Sequence, residues 1–177
     1  DLRRSRGLGD VYKRQVLTDL VFPSDTNPLG NLFGGELLSR MDRAACIAAE
    51  RHAGNVVVTA SVNHVHFSKP VPLGSVLTLE AKVSRSFSTS MEVFIDVWIE
   101  PRGSSDLREK ANEAIYTFVA VDDTGKPTSV PPVAPETELE KARYDAALRR
   151  RQLSLILAKK LSPCLLYTSP SPRDLRK

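Results

Sequence analysis

From Glu36 to His52 the chain contains no glycine or proline, and the next helix breaker is Gly54. A run of that length predicts one long helix over Glu36–His52. At about 100° per residue, Leu37, Leu38, Met41, Ala44, Ala45, Ala48 and Ala49 share one broad face. Glu36, Arg40, Arg43, Glu50 and Arg51 fall on the other. The apolar face is rich in alanine, so a packing partner can approach the helix backbone closely. Such a helix must bury that face against something, and the rest of the chain has to supply it.

The supply begins at Asn55, where the hydrophobic period changes from 3.6 to 2. Val56 to Phe67 is rich in β-formers. Leu77, Leu79, Ala81 and Val83 alternate with Thr78, Glu80 and Lys82. Met91, Val93, Ile95, Val97 and Ile99 alternate with Glu92, Phe94, Asp96, Trp98 and Glu100. Ile115, Thr117, Val119 and Val121 form a last run, ended by Asp122-Asp123-Thr124-Gly125. Before the helix, Val16 to Phe22 reads as a short strand stopped by Pro23, followed by a loop dense in turn formers through Asn31. One strand, one long helix and four long strands is an α+β order, with an antiparallel sheet curled around the helix. The regular alternation predicts a sheet with one face on the helix and the other on solvent or a partner.

After Val130-Pro131-Pro132-Val133-Ala134-Pro135, an extended spacer, a second helix is predicted from about Glu136 to Lys160. It is acidic first (Glu136, Glu138, Glu140) and basic last (Arg149, Arg150, Arg151). That polarity complements a helix dipole, and a phosphate-contacting tail is the sharper reading of the arginine triplet.

The chain's 177 residues fit one domain, and 41% hydrophobic content is enough for a core without disulfide or metal staples. Only Cys46 and Cys164 occur, which points to a reducing compartment. No apolar run reaches the ~20 residues of a membrane helix and no leader pattern opens the chain, so the expectation is a soluble cytoplasmic protein. The net charge of +4 first suggests nucleic acid. Residues 1–15 carry +3 and residues 162–177 carry +2, leaving −1 for the body, so a nucleic-acid module loses its support. Both terminal segments lack periodicity, and Asp-Leu-Arg occurs in each (Asp1-Leu2-Arg3 and Asp174-Leu175-Arg176). They read as non-native or disordered segments resembling translated adapter sequence. The expected organisation is therefore a leader at 1–15, a domain at 16–133, a helical extension at 134–161 and a tail at 162–177.

Two features carry chemistry. Asp42 has Leu38, Ala45 and Ala49 as its helical neighbours, and a carboxylate on that side costs solvation free energy. It is either a functional group or a border residue reaching solvent or Ser39. Gly30-Asn31-Leu32-Phe33-Gly34-Gly35 leads into the helix. Two glycines at a helix start admit a ligand to backbone N–H groups at the positive end of the dipole, a setting that suits an oxyanion. A tight turn into the helix explains the same glycines. His64 and His66 on one strand face, with His52 at the helix end, lack a suitably spaced third ligand and read as ordinary residues; no metal site is expected.

Asp25-Thr26-Asn27-Pro28-x-Gly30-Asn31-x-Phe33-Gly34-Gly35 followed by Met41-Asp42 resembles the opening of the acyl-CoA thioester hydrolases of the bacterial YciA and brain acyl-CoA hydrolase type. Val58-Thr59-Ala60-Ser61, Phe67-Ser68-Lys69-Pro70-Val71, Ser88-Thr89-Ser90-Met91-Glu92-Val93 and Tyr116-Thr117-Phe118-Val119-Ala120-Val121-Asp122 match downstream, as do Gly125-Lys126-Pro127, Val130-Pro131-Pro132 and Pro135-Glu136-Thr137-Glu138. The resemblance covers nearly all of residues 16–152 in order, with no departure at the two catalytic positions.

It implies a hot-dog fold, a curved antiparallel sheet wrapped around the Glu36–His52 helix, with protomers paired edge to edge and often assembled as a trimer of dimers. It also places the family's catalytic Asp at Asp42 and its Asn at Asn31, meeting across the dimer interface. Asp42 would serve as general base on water or as nucleophile, Asn31 would hold water or carbonyl, and N–H groups near Gly35 would polarise the carbonyl. Gly34, Lys69, Pro70, Ser88, Thr89 and Ser90 are the expected contacts for the coenzyme A moiety. A thiolate leaves readily, so no cofactor is expected beyond coenzyme A as part of substrate and product. A hot-dog sensor that binds acyl-CoA without hydrolysis should lack the Asp or the Asn, and this chain has both. A hot-dog dehydratase needs a His in the loop before the helix, and none is there.

Overall fold

The computed structural model describes residues 14–103 and 107–160, so the expected leader (but for Arg14 and Gln15) and tail lie outside the described residues. The elements in order are β1 (Arg14–Leu20), a 3-10 turn (Pro23–Asp25), α1 (Gly34–Ala53), β2 (Val56–Phe67), β3 (Val76–Ser86), β4 (Ser90–Glu100), β5 (Glu109–Val121) and α2 (Glu138–Leu157). The five strands form one antiparallel sheet in the order β1-β3-β4-β5-β2. With α1 against its inner face, this is the expected α+β hot-dog architecture. The first strand starts two residues earlier than predicted, because Arg14 and Gln15 pair in register with Lys82 and Ala81.

Leu37, Met41, Ala44, Ala45, Ala48 and Ala49 of α1 are fully or almost fully buried. Small side chains on this face let the helix lie close to the rows Leu77-Leu79-Ala81-Val83 and Met91-Val93-Ile95-Val97. Burying each Leu- or Ile-sized side chain contributes about 1.5–3 kcal/mol. Gly54 ends α1 at φ 67°, a left-handed cap that a side chain would strain. In β5 the residues facing the core are Tyr116, Phe118 and Ala120, with the first two rings stacked at 6.2 Å. The predicted run Ile115-Thr117-Val119-Val121 is the other row of that strand. Two aromatics in the intervening positions outweigh the β-branched alternation.

Two expectations about charge are corrected. Arg40, assigned to the polar face of the helix, is 4% exposed. Its guanidinium donates to Asp25 at 2.7 Å and Glu36 at 3.2 Å, and approaches Asp19 at 3.3 Å. The loop before the helix folds back over it, so a position that is polar by periodicity becomes buried by tertiary cover.

The second correction concerns the outer sheet face, expected on solvent or a partner. At β3 and β4 it is covered by α2. Glu92 and Asp96 are buried there. Arg150 grips Glu92 at 2.7 and 2.9 Å, and Arg143 grips Asp96 at 2.8 and 3.0 Å. Arg150 of the triplet is thus spent on a buried carboxylate, and the last turn of α2 holds no basic residue to serve the helix dipole. The helix is anchored by its arginines and opens on a capping box, in which Thr137 and Glu140 each satisfy a backbone N–H of the other.

Candidate active site

The loop that carries Asn31 is fixed from both sides by Asn27. The Asn27 N–H donates to the Asn31 carbonyl at 2.8 Å. In return, the Asn27 side-chain oxygen accepts from the N–H groups of Leu29 and Asn31 at 3.0 and 3.2 Å. The loop is also tied to the segment after β2, through Leu32 N–H to the Val71 carbonyl and Leu73 N–H to the Gly30 carbonyl, both 2.8 Å. Asn31 is thus held by backbone, while its side chain lines an open groove of ≈ 620 Å³. Gly34, Phe67, Lys69, Pro70 and Asn112 share that groove.

Gly34 and Gly35 open α1. The cap residue Phe33 offers no side-chain acceptor, so no side chain satisfies the first N–H groups of the helix. A Cβ at Gly34 would touch the Phe67 ring at 3.4 Å, and one at Gly35 would meet nothing within 4 Å. Gly34 therefore permits close packing against Phe67, whereas the space beside Gly35 would admit a side chain.

Asp42 lies seven residues after Gly35, on the same side of α1. It is half-buried, and its Oδ1 accepts from the Thr59 hydroxyl at 2.9 Å. Its partner is thus on β2 rather than Ser39 or solvent alone. Tyr116, 1% exposed, approaches the same turn from β5 and donates its hydroxyl to the Leu38 carbonyl at 3.0 Å. Burial, then the nearby Asp42 charge, pushes its phenol up to about 12. Neither Thr59 nor Tyr116 was singled out from sequence as a site residue. Thr59 stands in a family-like motif, but the contact across 17 positions leaves no periodic trace. Cys46, one turn on, is a weak nucleophile here. Burial, followed by Glu50 and Asp42, raises its thiol.

The protomer does not gather all the predicted residues into one place. Asn31, Gly34, Lys69 and Pro70 line one groove. Lys69 is ion-paired there with Glu109. Thr89 and Ser90 line a different groove, on the outer face where β2, β4, β5 and α2 meet. The Ser88–Ser90 turn is held by its backbone, with the Thr89 carbonyl accepting from Ala120 and the Ser88 carbonyl from Val130. Asp42 belongs to neither lining and faces Thr59 near the sheet edge formed by β2. That edge strand exposes Val56, Val58, Val62 and Phe67.

The histidines are corrected in one respect. His64 and His66 do not share a regular strand face, because the β2–β5 register shifts between Asn63 and His66 and His64 takes φ 52°. His66 contacts Ser68 at 3.0 Å and His52 the Pro131 carbonyl at 2.9 Å. Among the described residues no group of His, Cys, Asp and Glu could hold a metal ion, and no helix is long and apolar enough to cross a membrane.

With this geometry in hand, the chain can be set beside known proteins. A profile of the Thioesterase superfamily matches residues 29–105. The chain is 44% identical over 135 residues to the uncharacterized acyl-CoA thioester hydrolase YkhA of Bacillus subtilis, covering 76% of this chain and 78% of that one. Among solved structures it resembles an acyl-CoA hydrolase from Staphylococcus aureus in complex with butyryl coenzyme A (TM-score 0.77, 39% identity, 85% and 93% of the two chains). Further structures of that enzyme carry alanine in place of an aspartate, an asparagine and a threonine. An apo-hexameric acyl-CoA thioesterase matches with TM-score 0.79 and 40% identity over 84% of this chain and 94% of that one.

Proposed function

The chain belongs to the thioesterase superfamily as an acyl-CoA thioester hydrolase, and on that premise we propose that it cleaves fatty acyl-CoA to fatty acid and coenzyme A at a site shared by two protomers. The observation that carries this reading is the Thr59–Asp42 hydrogen bond at the exposed β2 edge, with Asn31 held in a separate groove. One copy keeps the carboxylate and the amide apart, whereas edge-to-edge pairing through β2 would bring a partner's loop to Asp42. The solved hexameric relative supports assembly beyond the monomer.

In the proposed reaction Asp42 draws a proton from water as general base, or attacks the thioester carbon itself. Thr59 fixes the carboxylate, leaving its second oxygen for the water. Gly35 lies in the exposed first turn of α1, which no side chain caps, and its N–H would stabilise the oxyanion. Asn31 offers a donor and an acceptor to orient water or carbonyl. Gly34, Lys69 and Pro70 would contact the pantetheine arm, and Ser88, Thr89 and Ser90 the nucleotide end. Coenzyme A leaves as thiolate, so the chemistry requires no metal or redox cofactor. In the Staphylococcus aureus enzyme the replaced aspartate and threonine stand 17 positions apart, as Asp42 and Thr59 do, which supports those two; the replaced asparagine precedes the aspartate by 15 positions, which is the spacing of Asn27 rather than Asn31. Two cysteines far apart in 177 residues are in keeping with a cytoplasmic location.

The test is thiol release from palmitoyl-CoA and shorter acyl-CoAs by the wild type, Asp42→Ala and Asn31→Ala. Activity in the wild type with loss of about 100-fold or more in each variant is expected for groups acting in the transition state. Equal release by all three defeats the site assignment. Binding without release by the wild type defeats the enzymatic reading in favour of an acyl-CoA sensor.

A further inference from the structure

Arg40 and Asp42 stand two residues apart on α1, which sets them about 200° apart around its axis, with the buried Met41 between them. Asp42 meets the edge strand through Thr59, whereas Arg40 turns to the other flank and meets the loop before the helix. There, almost fully buried, its guanidinium joins three elements. Nη2 donates to Asp25 of the 3-10 turn at 2.7 Å, Nε donates to Glu36 of α1 at 3.2 Å, and Nη1 lies 3.3 Å from Asp19 of β1.

Asp25 passes this anchorage on to the loop. Its carboxylate also accepts from the Phe22 N–H at 3.2 Å and the Ser24 hydroxyl at 3.1 Å. Its carbonyl accepts from the N–H of Phe33, the cap residue of α1, at 2.9 Å. The two ends of the loop are thereby joined, and the paired Asn27 and Asn31 lie between them. Stability alone is a poor reason for a cation here, since well-packed apolar side chains often serve as well as a buried ion pair. What the charge adds is direction. Charge-assisted bonds from one planar fork to separate elements fix how the turn, β1 and the helix start sit together.

We infer that Arg40 is a positioning residue for the loop that carries Asn27 and Asn31, and that in the shared site it serves the partner's Asp42 rather than its own. This rests on the acyl-CoA reading above, with its site built from two protomers. The two flanks of α1 then belong to two different sites. Arg40 orders the amide half of one, and Asp42 is the carboxylate half of the other. A change at Arg40 spoils the amide half that its chain contributes and spares the carboxylate half.

The experiment is pairwise co-refolding, read by thiol release from butyryl-CoA. Arg40→Met, which keeps the length and removes the charged fork, should lower kcat about tenfold or more on its own. Refolded with an Asp42→Ala chain it should recover to about a quarter of wild-type activity, since about half the dimers are mixed and each holds one whole site. Refolded with a chain carrying both Asn27→Ala and Asn31→Ala it should gain nothing, because both chains then lack the amide half. An unchanged kcat in Arg40→Met overturns the inference, as does recovery with neither partner or with both alike, the signature of a merely structural arginine. Thermal melting identifies a folding defect; Asp25→Asn, which keeps the shape and drops the charge that Arg40 grips, then carries the same comparison. If the wild type is inactive, or if the Asp42 and asparagine variants fail to complement each other, the functional reading fails on its own and the role in the partner's site falls with it. Amide hydrogen exchange then decides the positioning role: faster exchange of the Asn31 and Phe33 N–H groups in Arg40→Met, with β4 unchanged, sustains it, and equal exchange overturns it.

Discussion

The Thr59 hydroxyl donates to Asp42 Oδ1 at 2.9 Å, joining the edge strand to the helix at the one carboxylate on the apolar side of α1. The bond occupies one carboxylate oxygen and fixes the plane of the other. Thr59→Val keeps the shape and removes the donor, so kcat for acyl-CoA should fall about 10- to 100-fold with a smaller change in KM. Thr59→Ser should recover most of the loss. Steady-state thiol release checks both, and an unchanged kcat in Thr59→Val would show that Asp42 needs no such anchor.

Tyr116 acts on the same turn from the other side. Its hydroxyl adds a second donor to the Leu38 carbonyl, which lies four residues before Asp42. Tyr116→Phe should cost about 1 kcal/mol of stability, the usual net worth of such a bond. Its phenol, pushed up to about 12 by burial and then by Asp42, should ionise well above the ordinary tyrosine range. The raised value means that the stabilisation is complete below pH ~10 and is lost as pH rises through about 12. A spectrophotometric titration of wild type minus Tyr116→Phe should show that late transition, and a difference midpoint near 10 would refute the burial.

These two contacts mark what sequence could and could not convey. The long helix and β2 were legible because periodicity reports the azimuth of each residue about its own axis. Asp42 and Asn31 could be nominated as candidates because a string of short motifs surrounds them. Arg40 was misassigned because periodicity cannot reveal that the Asp25 loop folds over the polar side of the helix. Glu92 and Asp96 read as a solvent row for the same reason, since the cover comes from α2 some fifty residues later. Thr59 and Tyr116 are ordinary residues in ordinary elements. Only their tertiary neighbours make them functional candidates.

The docking of α2 should depend on acid. Burial pushes the Glu140 carboxyl up, but Lys82 and the N–H groups of Glu136 and Thr137 outweigh it and hold it below its ordinary 4.5. A depressed value in the folded state means that the contribution is present above 4.5 and lost as pH falls through the lower folded value. The melting-temperature gap between wild type and Glu140→Gln should therefore be constant above the ordinary carboxyl range and close as pH falls below it. A gap that persists to the acid end would show that Glu140 contributes through packing alone.

The shared site makes a stoichiometric prediction. If Asp42 and Asn31 meet across a β2–β2 interface, an Asp42→Ala chain and an Asn31→Ala chain are each inactive alone, yet their mixed dimer holds one intact site. Random co-assembly makes about half the dimers mixed, with one of two sites whole, so refolding the two variants together should restore about a quarter of wild-type activity. Lysines at Val58 and Val62, which are 48% and 44% exposed on the edge strand, should separate the protomers and abolish both the wild-type activity and the complementation. Thiol release and size-exclusion chromatography read the two effects together. Activity retained by a monomeric Val58→Lys, Val62→Lys protein would place the whole site in one chain.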